Sequence, residues 1–498
     1  MNPSKDFSTR YLNAKQWREG IRPLIQGAFR FCAPGREYDF VDIPKAVRES
    51  DVFSSIGEEV ATDLAGDLVS YFTPPEAMWA SYAVITEVDP DQADVVLNLV
   101  RARERDLFDM IAQSNYNDVA PQWGFEAAVH GTPALWVTRG AIGQPIHCEV
   151  VPPHELLITP GHRYLDRFRE TTVEAFAVKP LLQDYNVTYP RELEEKFAKP
   201  GAKCDVVWGF WVDWSDPNRP LWRCEITVDA KRVTPEDPLT LGDIAGSCPL
   251  LVGRFNPQPG QPWGRGCGIK ALPDFRTNDS IEDAILAGLD QSLLNTLIYP
   301  SDGALDLSEG IDPGRAYPAG PKFDRNSIFE LNRGVNLDYG YFSQESYERR
   351  IRTAFYQDGP TQRGDTPPTA TQWADERRRV QQRIGKPSAP LWTEMIRPLI
   401  QRFEYLGVLT GQIEEAISHA EGQILVTPIS PLQKAQNYDK IRVFRSNLET
   451  IAAAAGPEAL VQIVDLGESL KSMVTTSGDE IMKIRSEPVE QPAQPPQG

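Results

Sequence analysis

The chain has 498 residues, a formal net charge of −19 and a pI near 4.9. That surplus of carboxylates argues against a protein that grips nucleic acid, because affinity for duplex comes chiefly from Lys and Arg neutralising phosphates. Met1–Asp6 is polar with no apolar h-region behind it, and no apolar run reaches bilayer-crossing length, so neither a signal peptide nor a membrane span is expected.

A chain this long buries a sizeable core and holds several subdomains. Its six cysteines, Cys32, Cys148, Cys204, Cys224, Cys248 and Cys267, are widely spaced without a C-x-x-C, which suits reduced thiols in a cytoplasm and no zinc. Apolar spacing predicts helices over 14–31, 54–72, 90–114 and 118–130; in the third, Val96, Leu99, Val100, Leu107 and Ile111 carry the period. From Pro133 to Phe255 the pattern turns toward strands. Val206, Trp208, Phe210, Val212 and Trp214 alternate as in a half-buried strand, and 221–228 is a second strand beyond the turn-forming Asp216-Pro217-Asn218. The fold class is therefore α+β.

The next helix is expected over 279–298, with Ile281, Ile285, Leu289, Leu293 and Leu297 forming one apolar stripe, Leu286 and Leu294 beside it, and Asp279, Asp283 and Asp290 opposite with Glu282 at the margin. Residues 299–341 carry too many Gly and Pro for a helix, with short apolar pieces able to form strands, and a connection of that kind is usually a binding surface. A second helix, 343–358, places Tyr347, Ile351 and Phe355 on one face and offers Glu345–Arg349 and Glu348–Arg352 as i,i+4 pairs. An exposed loop, 359–371, carries Gln362, Arg363 and Asp365. Thr369 and Gln372 form a capping box for a helix marked by Trp373, Arg377, Val380 and Ile384. Beyond a break expected at Pro387 and Pro390, Trp392, Met395, Ile396, Leu399, Phe403 and Leu406 continue the apolar repeat, with a kink near Pro398. Residues 431–484 read as helical and 486–498 as a disordered tail.

Chemical motifs are weak. Gly264, Gly266 and Gly268 lack the G-x-G-x-x-G spacing of a dinucleotide loop, and no Walker A run exists. His147, Cys148 and His154 have no second ligand cluster, Trp208, Trp211, Trp214 and Trp222 fit a core better than a sugar platform, and Arg377–Arg379 adjoin Asp375 and Glu376 as a solvated or intersubunit face. No enzyme, cofactor or metal is expected.

Three runs resemble a known family: Pro262–Gln291 (PWGRGCGIKALPDFRTNDSIEDAILAGLDQ), Gly359–Trp373 (GPTQRGDTPPTATQW) and Trp392–Arg402 (WTEMIRPLIQR). Leu64–Trp79, the Ser114-Asn115-Tyr116 triplet and His130-Gly131-Thr132 add to the collinear set. Together they resemble the portal, or head-to-tail connector, proteins of short-tailed podovirus-type bacteriophages. The resemblance implies a ring, a homododecamer, at one capsid vertex of the virion, assembled in the host cytoplasm. Double-stranded DNA would pass through it without sequence specificity during genome packaging and ejection. Implied partners are the terminase large subunit, tail adaptor and nozzle proteins, and major capsid and scaffold proteins.

Carried over by segment, residues 1–277 would be the wing, helical to about 131 and then β-rich. Residues 278–299 and 342–358 would be the stem helices, 300–341 the clip, 359–371 the channel loop, 372–411 the long wing helix, 412–485 the crown and 486–498 the tail. Asp279, Asp283, Asp290, Glu345, Glu348, Arg349 and Arg352 would line the channel, and Gln362, Arg363 and Asp365 would form its loop. A capsid-associated scaffold or adaptor that never encloses DNA is the alternative.

Overall fold

The computed structural model describes residues 4–34, 52–75, 77–84, 93–141, 143–235, 238–293, 297–298, 329–330, 337–357 and 383–414, with short pieces at 418–419, 422–423, 426–429, 444, 446–448 and 469. The expected channel loop 359–371, nearly all of 300–336, Arg377–Arg379 and most of the segment after 414 lie outside it.

Four helices open the chain: α1 (Lys5–Cys32), α2 (Ile56–Phe72), α3 (Ala93–Ala112) and α4 (Tyr116–Val129), with strand β1 (Ser81–Val84) between α2 and α3. α1 starts well before the expected Ala14. Ser4 supplies the reason, because its hydroxyl accepts the Phe7 N–H at 3.1 Å and caps the helix. α2 and α4 approach so closely that a Cβ on Gly124 would stand 2.8 Å from the Ala65 carbonyl oxygen.

The β region forms two sheets. β2 (Ala134–Arg139), β3 (Ile146–Val150) and β10 (Leu250–Val252) make a three-stranded antiparallel sheet in the order β10-β2-β3. The larger sheet runs β4-β5-β6-β7-β8, from β4 (Leu156–Pro160), β5 (Leu165–Glu174), β6 (Lys203–Asp213), β7 (Leu221–Val228) and β8 (Lys231–Arg232), while β9 (Leu239–Asp243) also pairs with β7. Helices α5 (Val178–Leu181) and α6 (Arg191–Phe197) fill the β5–β6 connection.

The sequence pattern predicted a half-buried β6, but its residues from Val206 to Val212 are buried on both faces. On one face Trp208 and Phe210 meet Trp136, with ring centroids 5.4 and 5.8 Å apart, inside the main core. On the other, Val207 and Trp211 are covered by Phe7 and Ala14 of α1 together with Leu157 and Phe168. Gly209 sits beneath that cover, where a Cβ would lie 2.6 Å from the Phe7 ring and 2.7 Å from the Phe168 ring. Burying a ring such as Phe168 contributes about 1.5–3 kcal/mol, so the capped first turns of α1 stabilise the sheet as well as the helix.

After the sheets come two long helices, α7 (Cys267–Leu293) and α8 (Leu337–Ala354), packed on each other and joined through an antiparallel ribbon of β11 (Leu297–Ile298) and β12 (Phe329–Glu330). Two expectations need correction. α7 begins near Cys267 rather than Asp279 and continues through Pro273, and Leu297 and Ile298 belong to a strand rather than to the helix. α8 begins at Leu337, earlier than the expected Ser343.

The expected break at Pro387 and Pro390 does not occur. Helix α9 (383–391) runs through both, passes into a π-turn at Trp392–Ile396, and continues as α10 (Arg397–Thr410). The Ser388 hydroxyl donates to the Ile384 carbonyl at 2.7 Å and that of Thr393 to the Pro390 carbonyl at 3.1 Å, so side chains occupy carbonyls near the missing proline donors. The wider π loop, closed by the Arg397 N–H on the Trp392 carbonyl, falls just before Pro398, where the expected kink was placed. Three short strands follow: β13 (Ser418–His419) pairs with β14 (Gly422–Gln423), and β15 (Val426–Ile429) returns to pair antiparallel with β1.

All six cysteines are buried and unbridged. Among the described residues no helix is long and apolar enough to cross a membrane.

Candidate functional site

The glycine run before α7 and the His-Gly-Thr triplet after α4 pack backbone against backbone. A Cβ on Gly264 would stand 2.0 Å from the Gly131 carbonyl oxygen, and one on Gly266 would stand 2.4 Å from that of Val129. Gly131 has φ +87°, a left-handed geometry that glycine adopts without strain. Hydrogen bonds complete the joint. The Gly264 N–H donates to Thr132 Oγ1 at 2.9 Å, the Phe255 N–H to the Gly131 carbonyl at 2.8 Å, and the Thr132 N–H to His130 Nδ1 at 3.2 Å. Because Nδ1 accepts, the ring proton sits on Nε2 and points at Glu126 Oε2, 2.7 Å away. These glycines thus fix the entry of α7; they cradle the preceding helix end rather than a phosphate.

The Ser114-Asn115-Tyr116 triplet is structural in the same way. The Asn115 side chain donates to the Cys148 carbonyl and accepts the Cys148 N–H, both at 2.8 Å, pinning the start of α4 to β3. Tyr116 is fully buried and its hydroxyl accepts the Trp123 indole N–H at 3.2 Å. Sequence reasoning missed Arg402, whose buried guanidinium donates to the carbonyls of Val137, Gly246 and Ser247 at 3.1, 3.0 and 2.9 Å. Its signal was an arginine among Leu399, Phe403 and Leu406 on the apolar face of α10.

Beyond this root the α7/α8 pair mixes covered and exposed positions. Near the body, Phe275 stacks on Phe31 at 5.6 Å and meets Phe355 edge-on at 6.0 Å, while Ile351 and Phe355 have no exposure. Farther along α7, Ile285 is 7% exposed and Leu286 44%, and Phe342 on α8 reaches 74%. Ile281 and Leu289 are half-buried, so along the predicted stripe Ile285 is the covered member and its neighbours are partly open.

The charged candidates divide by what they touch. Asp279 Oδ1 accepts the N–H groups of Phe53 at 2.8 Å and Ser54 at 3.4 Å, just before α2 begins. Asp283 is exposed, and the side chain of Asp290 lies outside the described residues. Glu345 pairs with Arg349 at 3.1 Å as the spacing predicted, both exposed. The Glu348–Arg352 pair does not form. Arg352 instead forks onto Glu59 of α2, with both bonds at 3.1 Å. Burial pushes the Glu282 carboxyl above its usual range; a hydrogen bond with Ser54 works against this, and the nearby Glu348 and Asp279 carboxylates add to it. Gln362, Arg363 and Asp365 fall outside the described residues.

The tryptophans behave as core. Trp208, Trp211 and Trp222 are buried, and the half-exposed Trp214 donates its indole N–H to the His162 carbonyl at 3.1 Å. Among the described residues no three potential metal ligands cluster, and His147, Cys148 and His154 form no such group.

A family model described as bacteriophage head to tail connecting protein matches residues 4–183 and 226–480. The chain belongs to that family. The connector's fold is also similar to solved chains from gene transfer agent particles. One comes from the virion of the native particle (11% identity, 94% of this chain and 98% of that one, TM-score 0.38). Others come from the neck of the empty particle computed with C6 symmetry (10%, 84% and 90%, TM-score 0.36) and the neck of the native particle computed with C12 symmetry (12%, 81% and 91%, TM-score 0.33). No curated protein sequence matches the connector.

Proposed function

We propose that copies of this connector close head to tail into a ring, a dodecamer, at one capsid vertex, and that double-stranded DNA is packaged and ejected through its centre. Membership of the head-to-tail connector family over most of the chain carries this reading. The helix pair supports it. α7 and α8 act as a stem whose apolar stripe is left open at Leu286 and Phe342, and a heterologous contact that closes by rotation supplies each stem with neighbours on both sides. The segment between the two stem helices, expected at 300–341 and ending where α8 starts at Leu337, then serves as the clip that docks the terminase motor and later the tail proteins, and the segment 412–485 as the crown.

A duplex must slide rather than bind. Asp283, Glu345 and Arg349 are exposed along the stem and form the main channel-lining set, with Asp290 and Glu348 beside them. Asp279 and Arg352 contribute less, since each is held by its own subunit. A wall dominated by carboxylates repels phosphate and offers no register for bases, which lowers the barrier to translocation. Gln362 and Arg363, with Asp365, form a loop that resists back-slippage.

Negative-stain images and native mass spectrometry of the purified chain test the ring. A single closed species with a central hole is expected, and a protein that stays monomeric at high concentration, as an adaptor would, overturns the reading. For the loop, alanine at Gln362 and Arg363 should leave rings intact and lower retained DNA per particle, while normal retention removes the valve role.

A further inference from the structure

A cavity of about 550 Å³ opens between the β4–β5 hairpin, the 257–262 loop and the π-turn, and it is lined by Arg163, Arg167 and Arg254. Three cations around one cavity stand out in a chain of net charge −19. Arg254 is neutralised, because its Nε donates to Glu394 Oε2 at 2.8 Å and the second arm of the fork holds the other carboxylate oxygen. That bridge consumes Glu394, an acid on the cavity wall.

Arg167 has no such partner. It is only 6% exposed, stands over the Trp222 ring with its Cζ 5.1 Å from the centroid, and donates one N–H to the Leu250 carbonyl at 2.8 Å. Its Nε finds no acceptor, and among the described residues no carboxylate lies within 4 Å of it. Burial lowers its pKa although Cys248 and Glu394 work the other way, whereas at Arg254 the Glu394 bridge raises it. Arg163 stands at the rim, over Trp214 at 5.3 Å, next to the part-exposed Tyr164. A buried guanidinium facing a cavity without an anion is costly, and a carboxylate arriving from outside the subunit offsets that cost.

We infer that this cavity is a socket for an aspartate or glutamate side chain of a neighbouring copy of the chain, seated between Arg163 and Arg167. The inference rests on the ring proposed above and adds a specific contact to it. Duplex phosphates are a poorer fit. They lie on a broad rigid rod, whereas this cavity is lined by the Pro-Gln-Pro-Gly-Gln-Pro loop together with the nearly buried Arg167, a setting that suits a single projecting side chain. A strongly acidic chain that packs against itself also needs such sockets, because carboxylates brought to an interface repel unless each meets a cation.

The test compares wild type with Arg167→Gln and Arg163→Gln, measuring the protein concentration at which rings half-assemble by sedimentation. A shift of about tenfold or more is expected for each, with the ring restored at high concentration. Melting curves of the dissociated subunits show whether Arg167→Gln folds; Arg163→Gln, at an exposed position, carries the test if it does not. Labelling with phenylglyoxal, read by peptide mass spectrometry, should modify Arg163 in dissociated subunits and spare it in rings. Wild-type rings combined with unshifted variants and equal labelling overturn the socket and leave the ring standing. Protection of Arg163 by acetate alone in dissociated subunits, with ring assembly unshifted, means a free anion and also overturns it. Absence of wild-type rings removes both readings.

Discussion

Nε2 of His130 lies 2.7 Å from Oε2 of Glu126, one helical turn earlier, and both side chains are shut away from water. Through Nδ1 the same ring receives the Thr132 N–H, and through Thr132 the network reaches Gly264 at the mouth of α7. His130→Ala should therefore cost about 3 kcal/mol, since it strands buried polar groups on both sides of the ring. Glu126→Gln keeps an acceptor for Nε2 and should cost less. Urea melts of the two variants check the order; equal losses would mean that the network contributes only packing.

Glycine substitutions should separate close approach from simple flexibility. Gly264→Ala drives a methyl group into the Gly131 carbonyl and should destabilise by about 3 kcal/mol or more, or abolish soluble expression. Gly20, inside α1, has nothing within 4 Å of its Cβ position, and Gly20→Ala should stabilise by about 0.5–1 kcal/mol. Thermal melts of the pair give the answer.

Some of this was legible in the sequence. The strand at 221–228, the i,i+4 pair Glu345–Arg349 and the helical apolar spacing of α2 and α7 all depend on near neighbours, and local pattern reports near neighbours well. What pattern could not show was which distant segment arrives. β6 looked half-buried because the first turns of α1, which close its second face, lie almost two hundred residues upstream. Arg352 was assigned to Glu348 on its own helix and chose Glu59 on another. Prolines misled for the same reason: Pro387 and Pro390 read as breaks, yet tertiary packing and side-chain hydroxyls keep that helix continuous. The glycine run Gly264, Gly266 and Gly268 was read only for its spacing, and the partner it packs on, residues 129–131, was not visible.

His154 gives a pH dependence with a definite sign. Burial, helped by the Arg18 cation, lowers its pKa from the usual 6.5. As pH falls through that value the unfolded chain takes up a proton that the folded chain resists, so stability is lost from about pH 6.5 downward. His154→Gln should flatten the fall in stability between neutral and mildly acid pH relative to wild type. Denaturant midpoints measured across that window check it, and parallel curves for the two proteins would refute it.

Phe342 and Leu286 stand exposed along α8 and α7. Replacing Phe342 with Ser should change the melting of isolated subunits by no more than about 0.5 kcal/mol, because little burial is lost. If the stem finds neighbours in a ring, the same change should raise the concentration needed for assembly. Sedimentation of the variant beside wild type decides it, and an unshifted assembly curve would place Phe342 outside any subunit contact.

The ribbon of β1 with β15 matches Val84 to Val426 and Ser81 to Ile429. During synthesis, an early strand therefore waits for a partner more than three hundred residues downstream. Premature termination anywhere in between leaves that edge unsatisfied, so incomplete products are marked by a defect that chaperones and proteases can sense before such a subunit reaches a growing assembly.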